Sequence, residues 1–428
     1  MIGDVVELDI GPVAHGGHCV ARLDGQVVFV RHALPGERVR ATITEGEPGR
    51  SFLRADAVEV LHASPHRARP PCPYAGTCGG CDFQHVDLSE QRRLKAAVVT
   101  EQFQRLARLD LSAPGLGPVV EPVPGDDHGL RWRTRVEFAV DAAGKAGLHR
   151  HRSHEVVPVD RCLIASPGVS DAAVSARTWT DTDSVDVTET SLGEVVVTVL
   201  PAQGRRERRI VERVSAAGLD LDLALDARGF WQVHPGAAQT FVETVLDMLD
   251  PQSGERALDL YAGVGLFAKP LAERVGPLGQ VIAVESDGRA TAYARENLAD
   301  HRQGLVLDGR VDDLFGVPRH ERSGGRSRTR RRPRRPARSP LLPHTADLVV
   351  LDPPRIGAGA DVVRAVATLG PRAVAYVACD PASLARDTAT FIDSGYALAG
   401  LRCFDAFPMT HHVESIARFV PSGAPLTS

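Results

Sequence analysis

Apolar and polar positions alternate with period two along residues 1–60: Val6 to Ile10, Gln26 to Val30 after the Asp24-Gly25 turn, Glu37 to Ile43, and Ala55 to Val60. Such alternation marks half-buried strands, and short strands divided by glycine turns predict a small barrel. The spacing then changes. Asp87 to Glu90 has the form of a capping box, and Leu94, Val98, Phe103 and Leu106 recur at helical intervals, so a helix is predicted over 88–109. Alternation returns at 131–140, 147–150 and 194–199, giving a β-rich middle. From Phe230 onward, helical stripes at 240–249, 266–275 and 290–299 interleave with apolar runs at 256–260, 280–285 and 347–352 and a weaker one at 304–311. This is the pattern of a doubly wound, mostly parallel α/β sheet. Val374 to Ala378 is a continuous apolar run that reads as a buried strand; Cys379, the Asp380-Pro381 turn and a helical segment over 383–391 follow it. Glu414 opens a last apolar strand pattern.

Length divides this pattern: 428 residues predict two to four domains at roughly 100–200 residues each. A net charge of −4 gives no global field for nucleic acid, so any basic surface is local. No apolar run approaches the ~18 residues of a membrane span, and the opening MIGDVVELDIGPV holds no apolar signal segment. A cytoplasmic protein is expected. Its seven cysteines then read as metal ligands or catalysts rather than disulfides.

Three of them, Cys72, Cys78 and Cys81, form a C-x5-C-x2-C cluster with two glycines that let the backbone fold tightly. Cys162 is the candidate fourth ligand. Three near thiolates and one distant suit an iron–sulfur cube, and the spacing also admits zinc. Arg131, Arg133 and Arg135, interleaved with Trp132, could track an RNA backbone. Residues 319–340 hold ten arginines and three prolines against one acid, Glu321, and are expected to be a disordered loop. The turn Asp259-Leu-Tyr261-Ala-Gly263-Val-Gly265 lacks the G-x-G-x-x-G form that cradles a pyrophosphate. A phosphate-free nucleoside cofactor fits it better, S-adenosylmethionine being the common one. Glu285, ending the next strand, would take its ribose hydroxyls, and Asp352-Pro353-Pro354 ends the fourth strand, where a methyl acceptor would approach.

Residues 11–43 resemble the TRAM domain, an OB-like RNA-binding barrel. CPYAGTCGGCDFQH, RWRTRVEF, FWQVHPGAAQ, LDLYAGVGLF, LDPPRIG, YVACDPASLARD and FDAFPMTHHVE together resemble the RNA (uracil-5-)-methyltransferase family, in its TRAM-containing iron–sulfur branch acting on 23S rRNA. The resemblance implies a TRAM barrel over 1–61, a central iron–sulfur and β-rich domain over 62–225, and a class I methyltransferase domain over 226–428. It implies Cys379 as nucleophile and Glu414 as base, with Gln232, Tyr261, Glu285 and Asp352 at S-adenosylmethionine. It implies a [4Fe-4S] cluster on Cys72, Cys78, Cys81 and Cys162. A monomer acting on RNA is expected, with tRNA as the alternative substrate and an inactive RNA-binding fold as the alternative class. The chain departs from the family where Cys-Asn-Pro becomes Cys379-Asp380-Pro381 and where Gln-x-Asn becomes Gln232-Val233-His234. A carboxylate beside Cys379 would tend to raise the thiol pKa. An amino-methyltransferase, which also carries a Pro-Pro motif, usually follows it with an aromatic; here Arg355 stands there.

Overall fold

The computed structural model describes residues 2–47, 51–113, 116–201, 208–317 and 337–423. Strands β1 (Val5–Asp9), β2 (Cys19–Leu23), β3 (Gln26–Arg31), β4 (Arg38–Glu45) and β5 (Phe52–His62) form one sheet in the order β1-β4-β5-β3-β2. The alternation seen in the sequence is used as expected: Leu8, Val28, Val30, Val39, Ala41, Ile43, Leu53 and Ala55 all point into a common core.

Helix α1 (Leu88–Gln102) starts where the capping signal puts it, with the Asp87 carboxylate accepting the Glu90 N–H at 2.8 Å. It ends earlier than predicted as an α-helix. Phe103–Ala107 widens into a π-helical turn, and Arg108 closes it in the left-handed region at φ 52°. The two apolar rows of this segment serve different neighbours. Leu94 and Val98 pack into the core of the N-terminal sheet, whereas Val99 and Phe103 pack into that of the C-terminal sheet. Strand β6 (Val120–Pro122) then joins the edge of the C-terminal sheet, beside its last hairpin.

Strands β7 (Arg135–Val140), β8 (Ala146–His149) and β9 (Val156–Pro158), helix α2 (Pro167–Asp171), and strands β10 (Ser184–Glu189) and β11 (Val195–Leu200) build an antiparallel sheet ordered β11-β10-β7-β8-β9. The basic RNA-tracking face expected at 131–135 does not form. Trp132 is fully buried, and Arg135 faces inward to Glu212 at 2.9 Å and to the Gly229 carbonyl at 2.6 Å. Arg131 precedes the strand, at φ 59°. Burying an arginine demands a carboxylate and carbonyl partners, and Glu212 on the next hairpin supplies the charge. That hairpin is β12 (Arg209–Ala216) and β13 (Leu219–Asp226); its Ile210, Val214, Leu221 and Leu223 share a core with the C-terminal helices.

The rest alternates as expected: α3 (Ala237–Leu249), β14 (Arg256–Leu260), α4 (Ala268–Val275), β15 (Gln280–Glu285), α5 (Gly288–Asn297), β16 (Gly304–Asp308), α6 (Val311–Phe315), β17 (Leu348–Leu351), α7 (Ala360–Ala367), β18 (Ala373–Ala378), α8 (Pro381–Asp393), β19 (Tyr396–Asp405) and β20 (Glu414–Pro421). The sheet order is β16-β15-β14-β17-β18-β20-β19-β6. It is parallel from β16 to β18, and β20 runs antiparallel to both of its neighbours. Both faces are covered, so β14, β17 and β18 are apolar almost throughout. Most of the expected disordered insert, residues 319–336 of 319–340, lies outside the described residues. Its far end is fixed: the Ser339 N–H donates to the Leu314 carbonyl at 2.8 Å, and Arg338 donates to the carbonyls of Leu342 and Pro343.

Candidate active site

The parallel strands deliver their carboxyl ends to one edge, where open α/β sheets bind ligands. Cys379 follows β18 directly. The antiparallel register pairs Ala378 with Ser415, which brings Glu414, the first residue of β20, near enough to act on the Cys379 thiol. Glu414 is only 4% exposed, and its Oε2 has no hydrogen-bond partner. Burial, with the nearby Asp352 carboxylate, pushes its pKa well above the carboxylate range, against the pull of Arg355. The same burial, then Glu414, pushes the Cys379 thiol up to about 12, Arg355 again opposing. The thiol is therefore protonated at neutral pH in the ligand-free protein, and burial favours the neutral form of Glu414. Asp380 is among the weaker influences on this thiol. Its Oδ1 caps α8 by accepting the Ser383 N–H at 2.7 Å, and its Oδ2 lies 2.8 Å from His15 Nε2.

A cavity of about 120 Å³ opens at Cys379, lined among others by His15, Gly17, Phe83, Arg355 and His412. Its walls come from six separated stretches of chain. Gly17 has to be glycine: at φ 77° a Cβ there would stand 2.6 Å from the His411 Cβ. The N-terminal sheet thus sits against the 411–412 loop at backbone distance, and Asp82 Oδ2 fixes His411 Nδ1 at 2.6 Å.

A second group of acids surrounds the glycine turn. Gly263 donates its N–H to Glu285 Oε2 at 2.9 Å, while Oε1 accepts the Ser286 and Asp287 N–H groups. Tyr261 turns the chain at φ 66°. Asp352, half-buried, is raised by desolvation to about 7. Asp259, on β14, is fully buried. Desolvation, then Asp352, raises it to about 8; the Ala268 amide is the one influence favouring its charge, and neither oxygen makes a hydrogen bond of ordinary geometry. Sequence reasoning did not single out Asp259 as a candidate, although an acid inside an apolar strand was an available signal. Gln232 belongs to neither group; it is buried in the segment before α3. His234 is committed elsewhere, stacking on Trp132 at 5.9 Å between ring centroids with its Nε2 3.8 Å from Asp126.

Cys72, Cys78, Cys81 and Cys162 line one cavity of about 400 Å³, between the 72–84 loop, the 132–137 and 148–164 segments and the 407–412 loop. Gly79 packs on the backbone of the loop after β8, donating its N–H to the His149 carbonyl at 2.9 Å; a Cβ there would come within 2.7 Å of the His151 nitrogen. Burial raises the Cys78 and Cys162 thiols and pushes Cys81 up to about 12. Among the described residues no three His, Cys, Asp or Glu side chains stand close enough to hold a metal ion.

Known proteins match this architecture along its length. A TRAM domain matches residues 1–58, and the tRNA (uracil-5-)-methyltransferase family matches residues 207–418. An uncharacterized RNA methyltransferase of Streptomyces avermitilis is 46% identical over 98% of this chain and 99% of its own. The 23S rRNA (uracil(1939)-C(5))-methyltransferase of Pseudomonas fluorescens is 31% identical over 98% of this chain and 95% of its own. The chain belongs to the RNA (uracil-5-)-methyltransferase family. As a member, it is an enzyme that methylates RNA using S-adenosylmethionine. The family fold is shared with the solved tRNA (uracil-54, C5)-methyltransferase of Pyrococcus abyssi, a complex with S-adenosyl-L-homocysteine, at a TM-score of 0.66 and 20% identity over 97% of this chain and all of that one. No helix among the described residues is long and apolar enough to cross a membrane.

Proposed function

We propose that this enzyme methylates carbon 5 of a uridine in 23S rRNA through a covalent adduct between Cys379 and carbon 6 of the base. The observation that carries the reading is the closeness of Cys379, at an open cavity, to the buried Glu414 carboxyl that acts on its thiol. That cavity, of about 120 Å³, is the place the reading gives to one base turned out of its stack.

Carbon 5 of uracil is a poor nucleophile. Once its proton has passed to solvent, the Cys379 thiolate adds to carbon 6; the S–C6 bond forms and the ring electrons move onto carbon 5 and the O4 oxygen, so that carbon 5 becomes the attacking atom. Arg355, the one cation acting on both Cys379 and Glu414, favours the thiolate. Bound S-adenosylmethionine supplies an electrophilic methyl group on a sulfonium. Asp259, Glu285 and Asp352 fit such a cofactor: three acids around a glycine turn would repel a pyrophosphate and favour a cation. Tyr261 and Gln232 complete the proposed contacts. After transfer, Glu414 in its ionised form takes the proton from carbon 5 as the S–C6 bond breaks, which restores the ring and frees the thiolate.

The reading assigns 1–61 to an RNA-binding TRAM barrel, 62–225 to a cluster-bearing β-rich domain and 226–428 to methyl transfer, in a cytoplasmic monomer. It assigns a [4Fe-4S] cluster to Cys72, Cys78, Cys81 and Cys162; all four line one cavity, although no three of them stand close enough to hold a metal ion in the ligand-free chain. The thiols would bind as thiolates, so the burial that now raises them would be offset by iron. Iron and acid-labile sulfide should co-purify with the anaerobically prepared enzyme and be lost in Cys162→Ser. The ribosomal substrate follows the Pseudomonas relative. Mapping 5-methyluridine across rRNA and tRNA with and without the gene tests it: loss of one 23S site is expected, and loss confined to tRNA would refute it.

A further inference from the structure

Asp380 presents a problem that the fold solves with a residue from the other end of the chain. It follows Cys379 directly, and that thiol already faces the Glu414 and Asp352 carboxyls. An ionised carboxylate turned toward the sulfur would disfavour the thiolate further. We propose that His15, from the loop before β2, is a positioning residue of the active site that holds the Asp380 carboxylate off the Cys379 thiol. This takes Cys379 as the nucleophile of the proposed function.

Both oxygens of Asp380 are engaged. Oδ1 accepts the Ser383 N–H at 2.7 Å, and Oδ2 meets His15 Nε2 at 2.8 Å across 365 positions of sequence. Burial alone would raise the Asp380 carboxyl, but the His15 hydrogen bond and the Ser383 amide hold it below the usual range. The His15 side chain is 43% exposed, on the rim of the Cys379 cavity rather than within a core. Nothing about the N-terminal sheet's own packing requires it. The loop is held in reach by Gly17, whose contact with His411 leaves no room for a side chain. The other charged or titratable groups at this cavity are Lys95 on α1, Arg355 after β17, and His411 and His412 before β20. Lys95 is spent on Asp405 and His411 on Asp82, so His15 is the group that answers Asp380. The N-terminal sheet therefore contributes to the chemistry as well as to the binding surface.

The test measures alkylation of Cys379 by iodoacetamide in the full-length enzyme without RNA, at about pH 9 so that a raised thiol reacts measurably, with the Cys379 peptide followed by mass spectrometry. Removing the hydrogen bond in His15→Ala should slow alkylation about tenfold, the equivalent of one pKa unit. His15→Gln keeps a donor and should stay within about twofold of wild type, since one hydrogen bond replaces another. Asp380→Asn removes the offending charge, so His15→Ala/Asp380→Asn should react as fast as Asp380→Asn alone. An unchanged rate in His15→Ala, or a double variant as slow as His15→Ala, overturns the proposal. Single-turnover methylation of a 23S rRNA transcript is run alongside. A wild type that fails to methylate carbon 5 refutes the proposed function and leaves the thiol comparison intact; a methylating enzyme indifferent to His15 refutes only this inference.

Discussion

Lys95 and Asp405 form a salt bridge of 2.5 Å with neither side chain open to solvent, joining helix α1 to the end of β19 across 310 positions. Lys95 also donates to the Phe407 carbonyl at 3.0 Å, so it anchors the loop that carries His411 and His412 to the cavity. Burial lowers the lysine's pKa, and Asp405 opposes the shift. Breaking a buried pair costs more than the pair contributes, because one charge is left unpaired. Lys95→Met should destabilise the enzyme by about 3–5 kcal/mol, and Lys95→Met/Asp405→Leu should recover most of that. Urea unfolding of the three proteins decides this; a double variant no more stable than Lys95→Met would rule it out.

The two ends of the covalent mechanism should fail differently. Cys379→Ala should bind cofactor and RNA but form no adduct. Glu414→Gln should add and methylate, then stall with the RNA attached, because nothing removes the proton on carbon 5. A protein–RNA band surviving denaturing electrophoresis is expected for Glu414→Gln alone. Free turnover by that variant would take Glu414 out of the reaction, and methylation by Cys379→Ala would take out the adduct.

Asp259 makes the cofactor-free enzyme pH-sensitive. Its carboxyl is raised in the fold from 3.8 to about 8. The stability tied to the protonated form is thus fully present below the unfolded value and is lost as pH climbs toward the folded one. Asp259→Asn cannot titrate, so its melting temperature should gain on wild type between pH 5 and pH 8, by up to several kcal/mol in stability at the upper end. Thermal melts at the two pH values check the sign, and parallel curves would show that Asp259 is not held neutral. Saturating S-adenosylmethionine should narrow the gap by favouring the carboxylate.

The arginine-rich segment is best tested by removing 319–336 and keeping Arg338 and Ser339, which are bonded to the catalytic sheet's surroundings. Melting and cofactor affinity should be unchanged. RNA affinity should fall, with a salt dependence shallower by about 0.7 in log–log slope for each lost phosphate contact. Filter binding at several salt concentrations reads this directly, and an unchanged slope would deny the segment any part in binding RNA.

Local pattern carried much of this fold. The apolar run before Cys379 is β18, buried at every position, and the Asp87 cap begins α1 where its spacing said. Periodicity reports which face of an element is apolar, but not what lies across from it. Arg131, Arg133 and Arg135 therefore read as an outward basic row until Glu212, some 77 positions from Arg135, turned one of them inward. His15 with Asp380, and Lys95 with Asp405, were invisible for the same reason: each residue alone has no unusual neighbour in sequence. Asp380 looked like a blemish beside the nucleophile, and only its cap and its histidine partner show how the charge is kept occupied.

Helix α1 gives one apolar row to each of two cores, Leu94 and Val98 to the first and Val99 and Phe103 to the second. The N-terminal sheet is consequently no detachable accessory. Cutting it away would leave Leu94 and Val98 facing water on a helix that the catalytic half still needs, and the shortened protein would tend to self-associate through that stripe. Heated intact, the two halves should come apart in a single calorimetric transition, because neither can let go of α1 without stripping the other.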